Sequence, residues 1–142
     1  MAEIVVVDTS VFVAALKSKG SSGAREILRR CLRHELEPIM GLKLFMEYLD
    51  VFERPGLLDS SPATPVERKE LFHGFLSVCR WVNIFFLWRP NLPDEGDNHV
   101  LELAIAGGAE ALITHNVADF KGELKFPSLR VVTPAQFLQT KR

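Results

Sequence analysis

Five short apolar runs, separated by patterns of helical period, constrain this chain more than any other feature. The runs span 3–7, 38–40, 81–87, 111–114 and 129–132. They are too short for helices and rich in β-branched and aromatic residues. Between them, apolar residues recur every three or four positions. That alternation predicts a parallel sheet covered on both faces, an α/β fold in a three-layer α/β/α sandwich with a mostly parallel central sheet. At 142 residues the chain suits one domain over 1–142, and a 47% apolar share supplies its core.

The expected helices have readable boundaries. The first follows the opening run through Val11 to Lys17. Ser21, Ser22 and Gly23 open a second, with Ala24, Ile27, Leu28, Cys31 and Leu32 on one face. A third runs over 42–52, with Leu42, Phe45, Leu49 and Phe52 as its expected stripe, and Arg54-Pro55-Gly56 stops it. Thr64-Pro65-Val66-Glu67 is a capping box before Leu71, Phe72, Phe75, Leu76 and Cys79. A helix over 94–107 turns Val100, Leu101, Ala104 and Ile105 inward, and Gly107-Gly108 ends it. Thr133-Pro134-Ala135-Gln136 begins the last helix, and 59–65 is the loosest loop.

Several classes are disfavoured. No apolar stretch reaches the ~18 residues of a membrane span, and the opening run lacks the basic leader of a signal peptide. Cys31 and Cys79 fall on helical apolar stripes and read as reduced core thiols, so a cytoplasmic protein with no membrane partner is expected. A net charge of −1 does not advertise nucleic acid, so such a partner needs a local basic patch. Arg25, Arg29 and Arg33 recur at helical spacing beside Arg30. That ridge reads first as a solvated face, and otherwise as a contact for RNA or for an acidic protein stretch. Trp81, Phe85, Phe86 and Trp88 read mostly as core, with Trp88 a candidate for a homodimer contact.

The polar residues fall where ligands bind in open parallel sheets, beyond the carboxyl ends of the strands. Asp8 ends the first run, Asp94 and Asp97 precede a helix, and His115, Asn116 and Asp119 follow the fourth run. Asp97 lies one turn before Val100 and Leu101 on the inward stripe, where an ionised carboxylate is costly unless paired or bound to a cation. Helix capping accounts for Asp94, and Thr9 or Ser10 can cap the first helix. Convergent carboxylates repel one another, and a hard divalent cation relieves that repulsion. Oxygen-only ligands suit Mg²⁺ or Mn²⁺. Zinc spacing is absent, for His34, His73, His99 and His115 are scattered and no Cys-x-x-Cys occurs.

Three blocks carry a family resemblance. VVVDTSVFVAAL, LFMEYLDVFERPGL and PDEGDNHVLELAIAGGAEALITHNVADF together resemble the PIN domain, a family of metal-dependent nucleases, over essentially the whole chain. The chain is most similar to the branch of toxin components from toxin–antitoxin pairs. The resemblance implies an acidic catalytic set of Asp8, Glu47, Asp97 and Asp119, with Asn116 as an accessory metal ligand beside Asp8, Asp97 and Asp119. Helical spacing alone does not choose among Glu47, Asp50 and Glu53; the family pattern selects Glu47. Thr9, Ser10 and Thr114 are implied to meet substrate or metal waters, with Arg29 and Arg33 as further substrate contacts. The implied activity is Mg²⁺- or Mn²⁺-dependent endoribonucleolytic hydrolysis, with RNA as substrate, an antitoxin as partner and a possible homodimer. The alternative is a PIN-like RNA- or protein-binding module with weak or lost turnover.

Other enzyme classes fit less well. A haloacid-dehalogenase-like phosphatase needs a second aspartate where Ser10 stands. A receiver domain needs an acidic pair that the first run lacks, and a dinucleotide fold needs a G-x-G-x-x-G that is absent.

Overall fold

The computed structural model describes residues 2–20, 22–83, 98–120 and 129–140. Five strands, β1 (Glu3–Val7), β2 (Leu36–Met40), β3 (Arg80–Trp81), β4 (Ala111–Ile113) and β5 (Arg130–Val132), form one sheet in the order β3-β2-β1-β4-β5. Every pairing is parallel. β1 is central, and Val5, Val6 and Val7 are all buried, which explains its unbroken apolar run. Pro38 is tolerated inside β2 because β3 pairs only with Ile39 and Met40, leaving β2 without a neighbour on that side at Pro38.

Among the described residues six helices complete the layers: α1 (Thr9–Lys17), α2 (Gly23–Leu32), α3 (Leu42–Glu53), α4 (Pro65–Val78), α5 (Asn98–Ala106) and α6 (Pro134–Thr140). α2 packs against α1, α4 and α6, while α5 lies on β1, β2 and β4. The chain steps from β1 through β2 to β3 and then returns to β4. Right-handed crossovers in opposite directions cover opposite faces of the sheet, which makes the three layers. Phe12 joins α1 to its neighbours, with its ring 5.4–5.9 Å from those of Tyr48, Phe52, Phe72 and Phe75. Such edge-on aromatic contacts add to simple area burial.

Both capping boxes form. Thr64 Oγ1 accepts from Glu67 N at 3.1 Å while Glu67 Oε1 accepts from Thr64 N at 2.8 Å. Thr133 and Gln136 make the same reciprocal pair. Burial pushes both cysteine thiols up to about 12; Cys31 lies in the core as expected, while Cys79 is only partly buried at its edge.

Three expectations need correction or limits. The inward face of α3 is Leu44, Tyr48 and Val51, not the stripe of Leu42, Phe45, Leu49 and Phe52. Leu42 is 68% exposed, and Phe45 and Phe52 only lean on the core edge. On α5, Val100, Leu101 and Ala104 are buried, but Leu103 takes the place expected of Ile105, which is exposed. Burial runs almost right round this helix, from Val100 through Ala104 with Glu102 included, so Leu103 is enclosed although it lies off the expected face. β3 is only Arg80–Trp81: Val82 and Asn83 are described but lie outside any strand, and Trp81, expected in the core, is 50% exposed at the sheet edge. The remainder of the expected strand over 84–87, the helix start at Asp94, and Ser21, Phe85, Phe86 and Trp88 lie outside the described residues.

Candidate functional site

Asp8 and Thr114 stand side by side just past the carboxyl ends of the adjacent strands β1 and β4. Val7 is in register with Ile113, and Asp8 N donates to Ile113 O at 3.0 Å. Asp8 occupies the N-cap position of α1, yet its side chain makes no cap hydrogen bond. The capping expected of Thr9 or Ser10 does not occur either, because both already lie within α1.

The Asp8 carboxylate is held from elsewhere. Its Oδ2 accepts from Ser10 Oγ and from Thr114 Oγ1, each at 2.8 Å. These hydroxyls are fixed in turn, since Ser10 Oγ accepts from His115 N at 3.1 Å and Thr114 Oγ1 accepts from Asn116 N at 3.0 Å. A hydroxyl accepting a backbone N–H is oriented to donate onward, so the His115–Asn116 segment after β4 locks the rotamer of Asp8. Both side-chain donors converge on Oδ2, and among the described residues no side chain donates to Oδ1. Burial raises the pKa of Asp8 above the usual carboxylate range. The Ser10 and Thr114 hydroxyls oppose that shift, and the Glu47 carboxylate adds to it.

Glu47 enters from α3. Once the buried stripe is read as Leu44, Tyr48 and Val51, Glu47 falls at i+3 from Leu44, on the edge of the inward face. Its Oε1 accepts from Thr9 Oγ1 at 3.4 Å, and its Oε2 lies 3.5 Å from His99 Nε2. Asp50 instead pairs with Arg54 at 2.8 Å, and Glu53 is exposed. Tyr48 binds this helix to the strand that carries Asp8, donating through its hydroxyl to Val7 O at 2.7 Å. Neither Tyr48 nor His99 was picked out by the sequence patterns. An apolar-looking tyrosine and a lone histidine carry no spacing signal before the helices are docked.

The remaining candidates divide. Asn116 and Asp119 are exposed; Asp119 belongs to a 3-10 turn (Val117–Phe120), and its N–H donates to Asn116 O at 3.0 Å. Asp97 lies outside the described residues. Arg29 pairs with Glu26, as does Arg30, and Arg25 donates to Ala15 O and Ser18 O. Arg29 and Arg33 rim a recess of about 430 Å³ between α1, α2 and α4, floored by Leu16, Leu28 and Leu71. No lysine or arginine pairs with Asp8, Glu47 or Asp119 among the described residues.

Whether this edge suits a metal can be asked of its donors. Among the described residues no lysine or arginine neutralises the carboxylates of Asp8 and Glu47, and oxygen donors of this kind are preferred by hard divalent ions. Among the described residues no group of three or more His, Cys, Asp or Glu side chains is arranged to hold a metal ion. The donors present fit a hard cation and leave its coordination to be completed.

A parallel α/β sheet with an acidic carboxyl edge defines the class to which this protein belongs. The PIN domain family model matches residues 4–118, well over half of the sequence, and the chain belongs to the PIN domain family. No curated protein matches the sequence. Among solved structures, the chain is similar to one described as the crystal structure of VapBC2 from Rickettsia felis bound to a DNA fragment from their promoter. The match covers 90% of this chain and 96% of that one, with a TM-score of 0.58 and 17% identity. At that identity the likeness speaks for the fold. PIN domains are generally nucleases and generally use divalent metal ions. No described helix is long and apolar enough to cross a membrane.

Proposed function

We propose that this protein is a Mg²⁺- or Mn²⁺-dependent endoribonuclease, a single PIN nuclease domain acting in the cytoplasm as the toxin of a toxin–antitoxin pair. The observation that carries this reading is the buried Asp8 carboxylate, locked by two hydroxyls at the sheet edge and without a side-chain cation among the described residues. Asp8 and Glu47 bind the cation in this account, and Asp97, Asp119 and Asn116 complete its coordination. A bound divalent ion lowers the pKa of a water and neutralises charge developing on the phosphoryl oxygens. Ser10 and Thr114 spend their hydroxyls on orienting Asp8, while Thr9 braces Glu47. Substrate RNA approaches over the exposed residues His115 and Asn116.

The likeness to VapBC2, described as bound to a DNA fragment from their promoter, supports an antitoxin partner here. The recess rimmed by Arg29 and Arg33 suits a partner segment combining apolar and acidic side chains. Exposed Leu42, Met46 and Trp81 around Phe45 support a homodimer face on α3 and β3.

The test is cleavage of RNA by purified protein with and without Mg²⁺ or Mn²⁺. Cleavage that needs the ion and is abolished by Asp97→Asn is expected. Metal binding without cleavage would favour the binding module instead.

A further inference from the structure

We propose that His99 is a positioning residue for the acidic centre, its Nε2–H holding the Glu47 carboxylate where Thr9 and Asp8 meet it. The inference rests on the nuclease reading but concerns a residue that no spacing rule selects. His99 stands in the first turn of α5, and Glu47 is on α3, so their contact joins two helices across the sheet edge. Its Nε2 lies 3.5 Å from Glu47 Oε2, while Thr9 Oγ1 reaches Oε1 of the same carboxylate at 3.4 Å. Glu47 is therefore approached on both oxygens, from α1 on one side and α5 on the other.

The environment of the ring assigns its tautomer. The His99 side chain is only 15% exposed, and Nδ1 is buried without a hydrogen-bond partner among the described residues. A lone pair on Nε2 aimed at a carboxylate is repulsive, so the ring proton belongs on Nε2. Nδ1 is then a buried acceptor with no partner among the described residues, which costs stability. A histidine kept at that cost serves the contact on its other nitrogen. Outer-shell partners that orient metal-binding groups are worth about 10–100-fold in affinity.

Two measurements test this. In the metal-free protein, at slightly alkaline pH, imidazole ¹⁵N resonances should show the Nε2–H tautomer for His99, with Nε2 shifted by Glu47→Gln. An Nδ1–H tautomer overturns the proposal whatever the protein cleaves. In calorimetric titration with Mn²⁺ alone, His99→Leu should weaken binding about tenfold. His99→Gln, which restores an N–H donor, should recover part of that loss. His99→Leu should add nothing in a Glu47→Gln background, because the histidine acts through that carboxylate. Equal Mn²⁺ affinity in wild type and His99→Leu, or additive losses in the double variant, contradicts the proposal. Absence of Mn²⁺ binding by the wild type would count against the nuclease reading, and the tautomer would still decide the role of His99.

Discussion

Thr64 and Asp8 hold the same position relative to the helices that follow them, with extended backbone at both (φ −70°, ψ 162° and φ −68°, ψ 153°). Thr64 turns its hydroxyl onto the helix and closes a full capping box. Asp8, whose residue type is among the best cappers known, leaves the helix uncapped and turns its carboxylate to Ser10 and Thr114. The first residue serves the fold. The second is withheld from the fold and costs it stability, since burial and Glu47 both disfavour its ionised form. Two chemically adequate caps used in opposite ways separate structure from function more sharply than composition does.

The largest expected effect falls on Asp8. Asp8→Asn should lower metal-dependent RNA cleavage by at least about a hundredfold, beyond the usual loss of one outer-shell partner. Its effect on stability should have the opposite sign. The folded-state pKa of Asp8 is raised above its unfolded value, so its favourable contribution is complete only below the unfolded pKa. That contribution is lost as pH rises through the folded value. Melting of the metal-free protein at neutral pH should therefore give Asp8→Asn the higher Tm, and the variant should lose part of the acid-side dependence.

Thr114→Val breaks the comparison from the other side. It removes one donor from Asp8 and strands the Asn116 N–H, so denaturant unfolding should show a loss of about 1–3 kcal/mol. Mn²⁺ affinity should fall about tenfold. The smallest effect is expected at the functioning cap: Thr64→Ala should cost about 1 kcal/mol in unfolding and leave cleavage unchanged. A Thr64→Ala variant with impaired cleavage would mean that the two helix starts are not separable in this way.

The strand–helix alternation and both capping boxes were legible because each is a local signal. β1 reads as an unbroken apolar run because it is buried on both faces. α3 was misread for the same local reason. Leu42, Phe45, Leu49 and Phe52 form a convincing heptad-like stripe, but the core claims Leu44, Tyr48 and Val51. Tyr48 belongs to that buried face, where its hydroxyl donates to Val7 O. With the right stripe, Glu47 stands on the inward edge while Asp50 turns out to Arg54, a choice that spacing alone had left open. The Asp8–Thr114 contact spans 106 residues and His99–Glu47 crosses two helices, so neither has a signature in any window of sequence.

The central claim is that Asp8 is held for a cation and not for a helix. Calorimetric titration of Mn²⁺ into wild type and Asp8→Asn, with a melting curve of each metal-free protein, tests it most directly. The account predicts Mn²⁺ binding by the wild type, loss of that binding in Asp8→Asn, and a melting temperature at least as high in the variant. A variant that binds Mn²⁺ like the wild type, or that melts well below it, would contradict the account and return Asp8 to the fold.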